Sequence, residues 1–324
     1  MYPMKKNLYF LICMMLISTA AFSQAVVRIT AGTNLQTAID NAVAGTAFLI
    51  EPGGYGDITV SKRVALIGPG YFKNLGTATI LNLNLASGSE NSIVTGMSIS
   101  QNLNIGASGV TIQRNLANII SIGFNPTIGG VYVAGVTIKQ NFVQSYIAFS
   151  ESTSNAYIGN NIVVGYIGIS SYYNTGQIIN NTIIDDLGYQ PYSSSYQVFF
   201  INNIVVTTDT GNIGTNSNFT NNVITDGHFA TTDASNKKIT DWSTVFVGYP
   251  SNNGYTNESR YMLLNTSPAK GAGSDGTDCG AFGGSDPYVL QGFPVGPNIY
   301  QLSAPSGAAA GQTFQVQIKA KVQN

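Results

Sequence analysis

Along the chain, short apolar stretches recur at intervals of roughly 20 residues, and each closes on an asparagine. Six segments share the pattern: Val110 to Asn115, Val136 to Asn141, Ala156 to Asn161, Gly176 to Asn181, Val198 to Asn203 and Ser217 to Asn222. Three residues before each asparagine stands Ile112, Ile138, Ile158, Ile178, Phe200 or Phe219. Two residues after the last five stands Val143, Val163, Ile183, Val205 or Ile224. Alternate residues of a strand point to opposite faces, so these columns predict an inner wall, with short polar neighbours on the outer one. Shared offsets on both sides of every asparagine are the signature of stacked coils; unrelated Asn-rich loops of a sandwich or barrel would not show them.

The asparagine column has its own physical reason. A side-chain amide carries both a donor and an acceptor, so identical amides on successive coils can form a ladder. From Asn160 onward the residue before the ladder position is also asparagine, at Asn180, Asn202 and Asn221, while Arg114 and Gln140 hold that place in earlier coils. Asparagine also tolerates the left-handed backbone that a sharp turn requires.

The ends predict caps. Thr33, Asn34, Leu35 and Gln36 read as a capping box, and Leu35, Ala38, Ile39 and Ala42 follow helical spacing, so a short helix is expected to plug the amino-terminal mouth. Thr46 to Glu51, Ile58 to Val60 and Val64 to Ile67 then read as the strands of a first coil, separated by Gly and Pro signals. Before Asn115 the coils are less regular, with Ile80, Leu81, Leu83, Leu85, Val94, Met97, Ile99, Leu103 and Ile105 as their apolar positions. After Phe282, Pro287, Pro294, Pro297 and Pro305 break the pattern; Ile299 to Ser303 and Thr313 to Val322 are expected to pair and to cover the last coil. An export or surface-attachment role for that last strand is the less favoured alternative.

The composition, 44% hydrophobic and 9% charged, fits an extended all-β domain and excludes disorder, which needs more charge and fewer aromatic and β-branched residues. A formal charge of -1, a single histidine (His228) and no basic run exclude nucleic acid as a partner. Lys5 and Lys6, the apolar stretch Leu8 to Ile17 and the sequence Ala21-Phe22-Ser23-Gln24 read as a secretory signal peptide cut after Ser23. Its apolar run is shorter than the roughly 20 residues of a bilayer span, and Ile12 before Cys13 does not fit a lipoprotein signal. The mature chain is therefore expected outside the cell or on its surface, with the periplasm as alternative and no transmembrane segment. It keeps Cys279 alone and so no intramolecular disulfide.

Two stretches carry a resemblance. The opening one contains Leu35-Gln36-Thr37-Ala38-Ile39, Gly45-Thr46, Pro52-Gly53-Gly54-Tyr55 and Leu66-Ile67-Gly68-Pro69-Gly70-Tyr71. The closing one contains Ser267-Pro268-Ala269-Lys270-Gly271-Ala272-Gly273 and Asp278-Cys279-Gly280-Ala281-Phe282-Gly283-Gly284. On these the chain resembles the pectin-lyase-like superfamily, in its bacterial secreted or surface form. The resemblance implies an all-β, right-handed parallel β-helix over residues 24–286, between a signal peptide (1–23) and an exit segment with terminal strands (287–324). It specifies architecture well and activity poorly, since the same superfamily holds lyases, hydrolases, esterases, tailspikes and adhesin-like proteins.

Lyases of that superfamily use an acidic calcium cluster with a basic proton abstractor, and its hydrolases use convergent carboxylates. The corresponding candidates are Asp185, Asp186, Asp226 and His228. Neighbouring residues of a strand face opposite ways, and the hydrolases' later Arg-x-Lys motif is missing, so an ordinary polar turn is the preferred reading of Asp185-Asp186. Asp275 and Asp278 offer oxygens suited to calcium as a cofactor, though turn formation explains them equally well. Cys279 has no evident paired histidine and reads as buried filler.

Tyrosine is dense between Tyr146 and Tyr196. Tyr146 and Tyr166 lie at one offset past their asparagines, Asp186 takes the same place a coil later, and Tyr172 and Tyr192 share another offset. Equal offsets predict vertical stacking, and exposed aromatic rows beside an acid can stack on sugar rings, although β-propensity alone also favours outward tyrosine. The preferred function is non-catalytic binding of a polysaccharide, a cell-surface glycan or another surface. The alternatives are a polysaccharide lyase or related enzyme, and a purely structural or adhesive stalk.

Overall fold

The computed structural model describes residues 25–72, 76–151, 153–169, 174–184, 197–207, 218–225, 234–252, 254–293, 296–303 and 317–323. They form a parallel β-solenoid of about 8 turns, with the right-handed sense that parallel crossovers take. One sheet has ten parallel strands ordered along the chain, from Val26–Ile29 to Asn218–Thr220. The other has thirteen and extends to Lys237–Ile239. Each strand pairs in register with its counterpart one coil on, as Ile112 does with Val94 on one side and Ile138 on the other.

Both predicted apolar columns face the interior. Ile112, Ile138, Ile158 and Ile178 are completely buried beside Val143, Val163 and Ile183, and the Phe200 and Phe219 rings stack with centroids 4.4 Å apart. Among the early apolar positions, Leu81 alone departs from expectation: it is 39% exposed and faces out, while its neighbour Leu83 is fully buried.

The sheets meet at a sharp corner made of two adjacent columns. Arg114, Gln140, Asn160, Asn180, Asn202 and Asn221 all have φ between 54° and 58°, so the left-handed residue is the one before the ladder asparagine, whatever its type. The next residue forms the ladder. Asn141 Nδ2 donates to Asn161 Oδ1 at 3.0 Å, Asn161 Nδ2 to Asn181 Oδ1 at 2.9 Å, and Asn181 Nδ2 to Asn203 Oδ1 at 3.0 Å. Each oxygen also accepts the backbone N–H of the preceding coil's asparagine, and each amide also donates to a carbonyl one coil back, as Asn161 does to Ile138 O. The series runs from Met97 N to Asn236. The buried amides of the ladder are thereby paired, and losing such a partner costs about 1–3 kcal/mol per group.

The outer wall was expected to be polar. Instead, the residues directly after Asn141, Asn161, Asn181, Asn203 and Asn222 are Phe142, Ile162, Thr182, Ile204 and Val223, each at most 4% exposed. They stay dry because the chain after Ile239 returns over them and builds a second core with Val245, Phe246, Tyr261, Ala269, Cys279, Ala281 and Tyr288. Residues 267–293 act as a strap running back along the corner. Lys237 meets Pro268 O, Asn221 Ala272 O, Asn202 Ser274 N, Asn180 Asp278 O, Asn160 both Ala281 O and Gly283 O, Gln140 Asp286 and Pro287 O, and Arg114 Phe293 O. Gly280, at φ 86°, lies where a Cβ would come within 2.6 Å of Ile204 Cδ1, so only glycine permits this approach.

Both ends differ in detail from the sequence reading. The helix Leu35–Asn41 buries Leu35 and Ile39 at the mouth as expected, but Asn34, not Thr33, caps it by accepting from Thr37 N. Gln36 turns away from the cap and exchanges two hydrogen bonds with the backbone of Thr59. Val26–Ile29 adds a strand ahead of the helix, paired with Ala47–Ile50. At the other end Gly296–Ser303 and Gln317–Gln323 do pair, antiparallel. The strap ends with Phe293 beside Arg114.

Candidate functional site

The second strip of the thirteen-stranded sheet carries an outward polar face. Leu83, Leu103, Ile120, Ile147 and Ile167 point inward in register. The residues just before them therefore form an outward row of Asn82, Asn102, Ile119, Tyr146 and Tyr166, with Asp57 one coil earlier. The residues just after form a second row that includes Asn84, Asn104 and Ser121.

Each row has its own short ladder. Asp57 Oδ1 accepts Asn82 Nδ2 at 2.8 Å, Asn82 Oδ1 accepts Asn102 Nδ2 at 3.0 Å, and Asn84 Oδ1 accepts Asn104 Nδ2 at 2.7 Å. At the carboxy-terminal end of the first row the Tyr146 and Tyr166 rings stack, with centroids 4.9 Å apart and planes 13° from parallel. This is the stacking that their equal offsets predict. Burial, then the neighbouring Tyr146, pushes the Tyr166 phenol above its ordinary range.

A groove of about 560 Å³ lies over these rows, walled on its far side by Phe124 and Pro126 and reaching Ser150. It continues past Pro126 into a smaller recess of about 100 Å³ beside Thr59 and Thr127. The wall exists because one coil is longer: Asn115 and Asn141 are 26 residues apart, whereas Asn141 and Asn161 are 20 apart. The surplus folds into a small hairpin in which Phe124 faces Gly130 and Asn125 faces Gly129. Among the ten residues lining the groove, Asp57 is the only charged one.

Tyr146 lines the groove, and Tyr166 extends its row. Tyr172, Tyr192, Asp185, Asp186, Asp226 and His228 lie outside the described residues, as does the segment read as a signal peptide. Tyr157 is on the other sheet, paired with Thr137 and Gln177, away from the groove. Asp275 closes its own turn, accepting Thr277 Oγ1 at 2.6 Å and Thr277 N at 3.1 Å, and these bonds hold its carboxyl below the usual range. Asp278 is partly buried, which would raise it, but Lys270 Nζ at 2.9 Å and Gly271 N at 3.0 Å outweigh that and hold it low. Cys279 is completely buried, donates to Asn221 O, and has its thiol pushed up to about 12 by burial, as a packing residue should.

The asparagine half of the groove escaped the sequence reading, although a signal was there. Asn82-Leu83-Asn84 recurs as Asn102-Leu103-Asn104 at the coil interval, inside the stretch that looked irregular.

No family model matches the chain, and no curated protein does. Among solved structures it is similar to the crystal structure of pectate lyase Pel9A, at 13% identity over 80% of this chain and 96% of that one, with a TM-score of 0.36. Among the described residues no helix is long and apolar enough to cross a membrane. The molecule is a parallel β-helix whose outward face carries a polar groove ending on a stacked tyrosine pair.

Proposed function

We propose that this is an exported, non-catalytic β-helix protein that binds carbohydrate in the groove between the asparagine rows and the Phe124 hairpin. The observation that carries the reading is the junction of the two asparagine rows with the stacked Tyr146 and Tyr166 rings along one open groove. Amides and hydroxyls match the mixed donor and acceptor pattern of sugar hydroxyls, and the exposed parts of Phe124 and Tyr146 offer apolar faces to ring C–H groups. Coils rise about 4.8 Å each, so a row from Asp57 to Tyr146 runs for roughly 20 Å, suiting an extended polymer better than a small metabolite. Binding is favoured over catalysis because acid–base chemistry uses a second ionisable group within reach of the first, and among the described lining residues the other ionisable group, Tyr146, stands roughly 20 Å along the row from Asp57.

The test is retention of the mature protein on a polysaccharide panel by affinity electrophoresis. The expected result is binding to at least one polymer, weakened about tenfold or more by Tyr146→Ala, a loss of about 1.4 kcal/mol. Binding that is indifferent to Tyr146→Ala and Asn84→Ala would remove the groove as the site.

A further inference from the structure

We infer that the groove selects an uncharged glycan and turns away polyuronates, an inference that rests on the carbohydrate reading above. Its basis is the set of polar atoms that the protein leaves unspent. In both outer ladders each amide nitrogen donates to the coil before it, Asn82 Nδ2 donating also to Gln101 Oε1 on the coil after it. Among the described residues this leaves Asn102 Oδ1 and Asn104 Oδ1 as acceptors without protein partners, together with Asp57 Oδ2. The Ser121 and Tyr146 hydroxyls and Asn84 Nδ2 are uncommitted as well.

A sugar hydroxyl donates as well as accepts, so it satisfies both kinds of group. A uronate carboxylate only accepts. It can accept from the Ser121 and Tyr146 hydroxyls and from Asn84 Nδ2, but along this row it also meets two carbonyl oxygens and the Asp57 carboxylate, and among the described lining residues there is no lysine, arginine or histidine to offset that repulsion. Asn104 is 7% exposed, so the small part of it that reaches the groove is held in place by its surroundings.

The experiment measures affinity of the mature chain for neutral polymers (xylan, mannan, β-glucan, galactan) and for polygalacturonate and alginate, each with calcium and with chelator. The expected result is binding to a neutral polymer at least about tenfold tighter than to either polyuronate, in both media. Asp57→Lys, an exposed change, is expected to narrow that gap, while Tyr146→Ala abolishes and Tyr146→Phe keeps the neutral binding. Thermal midpoints confirm that each variant folds. Polyuronate binding as tight as neutral binding, and lost in Tyr146→Ala, overturns the charge selection and leaves the groove standing. Polyuronate binding indifferent to Tyr146→Ala, or no binding to any polymer, overturns both.

Discussion

Asn161 gives two protons to a single atom of the next coil: its backbone N–H lies 3.0 Å and its side-chain Nδ2 2.9 Å from Asn181 Oδ1. Asn161 Oδ1 in turn serves Asn141 in the same way, and its amide also donates to Ile138 O, so one side chain holds three successive coils. Asn161→Leu strands several buried polar groups at once, at about 1–3 kcal/mol each. We expect a loss of about 3–6 kcal/mol in equilibrium denaturation. The same change at the half-buried Asn236, the last ladder asparagine among the described residues, should cost less.

Phe142 and Val143 are neighbours that both lie in cores, one under the strap and one inside the solenoid. Phe142 is 4% exposed and meets Phe72 edge to face, with centroids 5.4 Å apart. Phe142→Ala should therefore cost about 3–5 kcal/mol, the loss expected of a core phenylalanine and far more than an outer-wall residue would show. Urea denaturation of the Phe142→Ala variant checks this directly.

The strap depends on backbone closeness that a side chain would block. Gly280→Ala places a methyl against Ile204 and Thr182 at a φ of 86°, and Gly292→Ala does the same against Tyr71 and the Arg114 carbonyl at 57°. Each should destabilise by about 1–3 kcal/mol. Hydrogen exchange should rise first in residues 267–293, with the ladder amides still protected.

Glu258 gives the strap a pH dependence. Its carboxylate, 2% exposed, accepts Tyr288 OH at 2.7 Å and Gln291 N at 2.6 Å, and Tyr288 OH lies 2.5 Å from Tyr71 OH, near Arg114. Burial raises its pKa to about 7, despite the two hydrogen bonds that lower it. A raised carboxyl pKa means that the folded state holds its proton more tightly than the unfolded chain does. That contribution is full below the ordinary value near 4.5 and is lost as pH climbs through about 7. Stability should fall by up to about 3 kcal/mol over that window. Glu258→Gln should flatten the decline, as melting curves from pH 5 to about 8 would show.

Much of the architecture was legible because a solenoid repeats its local rules. Ile112, Ile138, Ile158 and Ile178 announce the inner wall by spacing alone, and the equal offsets of Tyr146 and Tyr166 foretell their stacking. The second core was less visible for a physical reason. Phe142-Val143, Ile162-Val163 and Ile204-Val205 are adjacent apolar pairs, which on a strand signify burial of both faces, but the segment that covers the outer face lies far along the chain, as Asp286 lies 146 residues after Gln140. The left-handed column was half legible: Asn160, Asn180, Asn202 and Asn221 suit that backbone, while Arg114 and Gln140 adopt it under the constraint of their neighbours and of the strap. The groove was read from its aromatic end only, since nothing in one dimension shows that the surplus residues after Gly123 rise beside Asn84 and Asn104.

Solenoids commonly change length by gaining or losing whole repeats, because each contacts only its neighbours. Here that freedom is curtailed. The returning segment touches the coils one by one, from Lys237 back to Arg114, so it works as a measuring tape whose marks must agree with the number of coils. Duplicating one coil in the middle would add about 4.8 Å to the stack and put every later mark out of step. Growth of this molecule therefore requires paired changes, an inserted coil together with a lengthened tape.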